Sequence, residues 1–458
     1  MEGINKYWME DVETASRSDL AKIQLKKLKS TLAYCQSQSK FYQKKFQDAD
    51  ISVSNIKTLG DFTSLPFTSR DEIVCAQREK SRLGGLMCTN FEEPGQTIGM
   101  TGVKLSASGQ PIRVIISVED AAFQGLLAAR GLFGAGVEAK NYLYLMDYPQ
   151  FNILYMHLGL GSINLGSKSI LVGMERAERN SSIYTRLYPP NVYYISPSYS
   201  KFVTRLLKQT KKLYPIHAVL GWSEPGYSLP SWKERFREMW GEVSSQAKIT
   251  ISDVYGMIEV GLLGFECVYQ TGLHGFEDAY IYEIINTDTK EVLAEGEEGE
   301  LVVTHLYRYG MPLIRYRTGD ITSIRFEKCA CGRTHLRLMG IKGRLDQEIK
   351  IGKKKIYQSE IEEALGSCKS YSGEFNIVTK KTEELSCIEL NILQDSISEA
   401  SKQDIEATCS NLMGVPVRAH LKPKEDLLIF LHRSQKIISP ENYERFKKEA
   451  INQQRNET

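Results

Sequence analysis

Between residues 112 and 221 the chain alternates short apolar, β-branched runs with longer helical stretches, and no other feature limits its fold so tightly. Strands are expected at 114–117, 142–146, 170–172, 192–195 and 217–221, with helices such as 119–132 and 198–208 between them. Alternation of this kind predicts α/β layers around a largely parallel sheet. From Ala279 the texture becomes β-rich, and after Asp346 it changes again. Helices at 359–365 and 399–412 there alternate with strands at 375–378, 388–393 and 416–421. The expected fold class is therefore α/β. A large multi-layer N-terminal domain with a β-rich subdomain spans 1–345, and a small, mobile α+β domain spans 346–458. A chain of 458 residues is too long for one ordinary domain, which agrees with that division. Nearer the N-terminus one helix is expected over 19–46, and Thr68 or Ser69 should cap another that starts at Arg70.

Charge excludes more than it suggests. Fifty-eight Lys and Arg stand against 56 Asp and Glu, a net of +2, so neither a nucleic-acid nor a membrane-surface partner is expected. No apolar run approaches the ~18 residues of a membrane span. The first twenty residues do not read as a secretory signal. Nine cysteines, an odd number without an export signal, fit a reducing compartment, so a cytoplasmic setting is expected.

Two segments carry chemistry. In SDVYGMIEVG (252–261) a strand runs into Tyr255 and then Gly256, placing a turn at the C-terminal edge of a sheet, where α/β proteins bind ligands. Glu259 there can hold Mg²⁺, which takes carboxylate and phosphate oxygens, and Tyr255 offers a face to adenine. The plainer alternative is a buried Tyr and a surface Glu at a strand–turn–helix junction. In MPLIRYRTGD (311–320), Asp320 follows a glycine and can accept two hydrogen bonds from vicinal ribose hydroxyls. An ordinary hairpin Gly-Asp turn is the alternative there.

The order YGMIE, then RYRTGD about sixty residues on, then GRLD about twenty-five further, resembles the adenylate-forming superfamily, in its phenylacetate–CoA ligase branch. Segments 41–73, ISPSYS (195–200) and GWSEPG (221–226) look like further signatures of that branch, so the likeness spans nearly the whole chain. The resemblance implies that the N-terminal domain is an adenylation domain. It implies that Ser223, Glu224, Pro225 and Tyr255 line adenine, that Glu259 binds Mg²⁺, and that Asp320 holds the ribose. Arg344 would contact the ribose or a phosphate, and Asp346 would be the hinge. Lys436, in HRSQKII (432–438), sits where the family places a lysine that swings in for adenylation. Such a cation neutralises charge that develops as a carboxylate attacks the α-phosphate. The span 145–162 occupies the position of the acyl-pocket helix, with Tyr148, Phe151 and Tyr155 as pocket or core residues.

The chain departs from the family at the phosphate loop. Where relatives read SSGTTGxP, this chain reads KLSASGQP (104–111): Ser108 and Gly109 keep the pattern, Ser106 replaces a glycine, and Ala107 replaces a threonine. Hydroxyls are lost and the backbone is stiffened. The hydroxyl residue before the motif glutamate is Ile258, which cannot bond a phosphate oxygen. After the hinge, Lys353, Lys354 and Lys355 stand where a glycine-containing turn is usual; they could meet the phosphates of CoA or an acidic carrier protein, or form a solvated turn.

Cys329 and Cys331 form a tight pair, and Cys267 and His274 lie in CVYQTGLH; three Cys and one His match a closed structural zinc site, with free buried thiols as the alternative. Branch members carry a similar set. The other six cysteines are expected to be reduced core residues. The function these features imply is an acid–thiol ligase that uses ATP and Mg²⁺. It would convert a small carboxylic acid, aryl or polyketide-like, to an acyl-adenylate, release AMP, and pass the acyl group to the phosphopantetheine thiol of CoA or an acyl carrier protein, as in secondary metabolite biosynthesis. The alternative is a degenerate member without adenylation, an accessory protein that binds a carrier protein.

Overall fold

In a computed structural model the chain is described over residues 6–79, 83–89, 97–100, 112–147, 153–173, 187–221, 224–378, 385–394, 397–422, 437–438 and 444. A nine-stranded sheet organises it. Strands Lys168–Gly173, Tyr142–Asp147, Val192–Tyr194, Ala218–Gly221 and Thr250–Met257 run parallel in that order. From Thr250–Met257 outward the sheet turns antiparallel, through Gly261–Glu266, Leu273–Gly275, Arg337–Leu338 and Ile324–Arg325. Four of the five parallel strands are among those predicted from the alternating sequence; the fifth predicted strand, Val114–Ser117, instead pairs antiparallel with Thr97–Met100 in a separate two-stranded sheet. The inner strands Val192–Tyr194 and Ala218–Gly221 are buried throughout, which is why they read as continuous apolar runs.

The β-rich stretch after Ala279 folds as a four-stranded antiparallel sheet, Tyr280–Ile285, Gly299–His305, Tyr316–Thr322 and Gly343–Arg344. Leu28, Leu32, Phe46, Phe62, Leu306 and Ile314 close a separate apolar cluster between it and the N-terminal helices. Those helices correct the single one expected over 19–46. Helix Arg17–Gln38 stops at Ser39, and Lys40–Asp48 begins there. Ser39 is extended and fully buried; its Oγ accepts the Tyr42 N–H and donates to the Gly85 carbonyl, so a non-helical capping conformation wins over continuation. At 68–70 the cap is Ser69, in a capping box with Glu72. Thr68 instead donates to the Ile314 carbonyl.

Beyond residue 346 come a hairpin (Ile349–Ile351 with Lys354–Ile356) and helices Gln358–Ser367 and Glu399–Met413. A second four-stranded sheet follows, ordered Val417–Lys422, Ile388–Leu393, Glu374–Val378, Ile437–Ile438. This part rests on helix Pro230–Gly241. The Trp232 Nε1–H donates to the Glu362 carbonyl at 2.7 Å, and Ser231 Oγ donates to the Glu363 carboxylate at 2.8 Å. Gly366 permits the approach: a Cβ there would lie 2.2 Å from Ser231 Oγ and 2.8 Å from the Trp232 ring. Among the described residues no helix is long and apolar enough to cross a membrane.

Candidate functional site

Thr250–Met257 is the strand where the large sheet changes from parallel to antiparallel, and ligands in α/β folds gather at such changes, at the C-terminal ends of the parallel strands. Tyr255 lies near its end. The segment is strand–turn–strand, because Gly261–Glu266 folds back along it, which corrects the strand–turn–helix alternative. Tyr255 donates its hydroxyl to Asp320 Oδ2 at 2.6 Å. Arg344 donates to the other oxygen, Oδ1, at 2.9 Å. Asp320 and Arg344 are opposed across paired strands Tyr316–Thr322 and Gly343–Arg344. Asp320 thus sits inside a strand rather than at a hairpin tip. Gly319 before it has φ +74°, a conformation that favours glycine.

Burial, and then the Asp320 charge, push the Tyr255 phenol well above its usual range, so its proton stays on the bond to Asp320. A carboxylate has about four acceptor positions. Two are filled here by Tyr255 and Arg344, which leaves the carboxylate with capacity for further donors. Arg344 also reaches Asp346 Oδ1 at 3.2 Å and the Thr318 carbonyl at 3.3 Å, so it bridges the cluster to the segment where the small C-terminal part begins.

Glu259 is buried. The Tyr316 hydroxyl donates to its Oε1 at 3.0 Å, and Arg70 Nη1 lies 3.5 Å from the same oxygen. The donor type suits Mg²⁺, which takes one or two carboxylates and leaves the remaining positions to water and phosphate. In this arrangement, however, a guanidinium already neutralises the carboxylate, a partner the sequence reading did not include. Ile258 beside it packs against the main apolar core.

Glu224 turns away from the sheet edge: its Oε2 accepts the N–H (3.2 Å) and the hydroxyl (2.6 Å) of Ser198, in the first turn of helix Pro197–Gln209. Pro225 opens the short 3₁₀ turn Pro225–Ser228. Gly256, in the strand after Tyr255, faces the Gly261 carbonyl across the turn, where a Cβ would come within 2.8 Å. Tyr155 lies in the main core cluster, on helix Ile153–Leu165. Ser106, Ser108, Gly109, Tyr148, Phe151, Ser223 and Lys436 lie outside the described residues. The strand that follows Lys436, Ile437–Ile438, runs parallel to Glu374–Val378.

Two buried groups were not singled out from the sequence. Burial, and then the nearby Glu266 charge, push the carboxyl of Asp253, on the same strand as Tyr255, well above the usual carboxylate range. A carboxylate amid the apolar run of a central strand was the available signal. His157, on the helix of Tyr155, has no hydrogen-bond partner for either ring nitrogen among the described residues, and burial pushes it down to about 3.

Cys267, His274, Cys329 and Cys331 are all buried, with their ligand atoms within 4.8 Å of one another. Cys267 Sγ and Cys329 Sγ are 3.8 Å apart, and Cys331 Sγ and His274 Nε2 are 3.5 Å apart. A tetrahedral ion with bonds of about 2.3 Å to sulfur and about 2.1 Å to nitrogen sets edges of about 3.8 and 3.6 Å, so these residues fit zinc. Gly332 (φ +93°) completes the knuckle; a Cβ there would lie 2.0 Å from the Tyr7 hydroxyl, which donates to the Cys331 carbonyl. Glu13 joins the same roof by pairing with Arg333 at 2.6 Å. The other cysteines are reduced, but only Cys35, Cys88, Cys368 and Cys409 are buried. Cys75 is exposed and Cys387 partly so, because neither lies on an inward face.

In the hairpin after the cluster, Lys353 is exposed, Lys354 donates to the Met413 carbonyl and Lys355 pairs with Glu348 at 3.3 Å.

No protein-family model matches the chain. Among curated proteins it is 28% identical over 391 residues to the phenylacetate–coenzyme A ligase of Thermus thermophilus, with 83% of each chain covered. It is 25% identical over 396 residues to the Escherichia coli protein of the same name, with 84% of each covered. Among solved structures it matches 2-hydroxyisobutyryl-CoA ligase in the postadenylation state with a TM-score of 0.84, at 22% identity, covering 100% of this chain and 96% of that one. The same enzyme in the thioesterification state gives 0.69 at 21% identity, covering 99% and 96%. Motif order, likeness over four-fifths of the sequence and a shared fold agree: the chain is similar to the phenylacetate–CoA ligase-like branch of the adenylate-forming superfamily and shares its fold.

Proposed function

We propose that this protein is an ATP-dependent acid–CoA ligase. The observation that carries the reading is the Tyr255–Asp320–Arg344 cluster at the change in sheet direction, in which Asp320 keeps acceptor positions for a ribose. In the first step a carboxylate oxygen of the acid bonds to the α-phosphorus of ATP, and the bond to pyrophosphate breaks with its electron pair leaving on pyrophosphate. In the second, the thiol sulfur of CoA, or of a carrier protein, bonds to the acyl carbon and AMP leaves.

Asp320 holds the nucleotide by its ribose, Tyr255 keeps that carboxylate oriented, and Arg344 balances its charge. Ser223, Glu224 and Pro225 border the adenine. Glu259 and the phosphate oxygens would hold Mg²⁺, which supplies charge neutralisation at the phosphates. Lys436 offers a cation to the α-phosphate during the first step. Tyr148, Phe151 and Tyr155 shape an apolar pocket suited to an aryl or polyketide-like acid. Residues 346–458 form a small domain that turns about Asp346 between the two steps. Cys267, His274, Cys329 and Cys331 hold a structural zinc ion, which has no open position and braces the antiparallel part of the sheet.

A second reading is favoured by one observation: Ile258 packs into the core and Arg70 occupies Glu259, so the phosphate side of the site is altered while the ribose side is kept. On that reading the chain binds AMP-like ligands and a carrier protein without turning over ATP. Acid-dependent exchange of labelled pyrophosphate into ATP, screened over aromatic and aliphatic acids, followed by thioester detection with CoA, separates the two. Exchange with any acid supports the ligase; AMP binding with no exchange across the panel supports the accessory protein.

A further inference from the structure

Behind the strand that carries Tyr255 lies a cavity of about 880 Å³, between the start of helix Pro230–Gly241 and the antiparallel edge of the large sheet. That volume falls in the range of small-molecule sites, about 300–1,000 Å³. None of Tyr255, Glu259, Asp320 or Arg344 lines it. We propose that this cavity is a second binding site, distinct from the adenylate cluster, for a nucleotide-like molecule: phosphate groups at one end and a flat ring at the other.

Its charge argues for the phosphates. Lys233, Arg237, Arg325 and Arg337 line it against Glu266 and Glu327, two positive charges in excess. Lys233 is matched by Glu266 at 2.7 Å. Arg237 pairs with Glu234 at 2.9 Å and donates to Gln270 Oε1 at 2.7 Å, but the other two guanidinium groups are less well satisfied. Arg325 is exposed and makes no ion pair among the described residues. Arg337 is buried and donates to the Thr271 carbonyl at 2.5 Å and the Glu327 carbonyl at 3.4 Å, but its Nε has no hydrogen-bond partner among the described residues, and the Glu327 carboxylate, highly exposed, lies 3.7 Å away. Arg325 and the unpartnered Nε of Arg337 leave guanidinium donors at one concavity, and such groups suit phosphate oxygens, which they can bind two at a time. Tyr269 argues for the ring. It lines the same cavity yet is 52% exposed, and the thioether of Met339 at 45% stands with it. A large aromatic face left in water beside cations is a stacking platform.

The cavity also touches the adenylate strand. Glu266, which lines it, accepts the Asp253 N–H at 2.9 Å, two residues before Tyr255. An anion that drew Lys233 away from Glu266 would be felt by that strand.

The test is photolabelling of the intact protein with 8-azido-ADP, with labelled peptides mapped by mass spectrometry. Label on the peptide containing Tyr269 is expected, besides any on the peptide containing Tyr255. The double variant Arg237→Gln/Arg325→Gln replaces Arg325, which is exposed, and Arg237, which is partly exposed and gives up its pair with Glu234 and its bond to Gln270. It should cut the Tyr269 label at least about tenfold, as loss of two charge-assisted contacts requires, and leave the Tyr255 label unchanged. No label at Tyr269, or label there that survives the double variant, overturns the proposal. Unlabelled ADP should displace the label better than inorganic pyrophosphate. Equal displacement by pyrophosphate would overturn the role given to Tyr269.

Discussion

The Cys/His knuckle and the Tyr255–Asp320–Arg344 cluster are both buried, polar and gathered from distant stretches of chain, but only one of them is closed. In the knuckle four ligand atoms face one another, and Tyr7 and Glu13 roof it. In the cluster Asp320 takes one donor on each oxygen and retains acceptor capacity. The contrast teaches which buried polar group is there to brace and which to receive. A group gathered tightly around itself braces the fold, and one left partly filled, at the edge where a sheet changes direction, keeps capacity for a further hydrogen-bond donor.

The largest effect that could break this contrast is on the knuckle. Cys331→Ser should lose bound zinc, measured by metal analysis, and lower the melting temperature by roughly 10 °C, as loss of several kcal/mol of metal-coupled folding would. An unchanged melting temperature would put the two regions on the same footing. Next comes Asp320→Asn, which keeps the shape but loses the charge. Nucleotide affinity by calorimetry should fall about 100-fold, roughly 2–3 kcal/mol for a charged hydrogen-bonding partner. Zinc content should stay as it was. Tyr255→Phe removes one hydrogen bond to Asp320 and should weaken nucleotide binding about tenfold or less.

The smallest effect is on acid stability and tests a buried charge outside both regions. Asp278 is fully buried and lies 2.9 Å from Arg130. Burial raises its pKa most, but the Arg130 charge, the His335 charge, the hydrogen bond from Arg130 and the Lys27 charge together leave it below the usual value. Its folded pKa is depressed, so its contribution is present above the unfolded pKa, about 3.9, and is lost as pH falls through the folded value. Asp278→Asn should therefore narrow the stability gap to the wild type below about pH 4, in urea melts at stepped pH.

Much of this was legible in the sequence because it is local. The alternating runs before residue 221 announced four of the five parallel strands, and Cys329 and Cys331 are two residues apart. What escaped is non-local. Arg70 reaches Glu259 across about 190 residues, and nothing near either one signals the pair. Tyr255 was read as a face for adenine; the bond of its hydroxyl to Asp320, sixty-five residues on, was not part of that reading. Ser39 was hidden for the opposite reason: the helical periodicity runs across it, and only its burial against Gly85 makes the break favourable. Asp253 could have been found as a lone carboxylate in a central strand, but its partners Lys233 and Glu266 come from separate elements.

The roof over the knuckle has a consequence for the order in which the molecule is made. Glu13 and Arg333 are 320 positions apart, and Tyr7 meets Cys331 across 324. At about 5–20 residues per second, a ribosome needs roughly 15–65 seconds to reach the second partner after making the first. The segment around Tyr7 and Glu13 is therefore made well before it can be placed. A chaperone that shields it in the interval would act on one stretch of chain on behalf of another, 320 positions on.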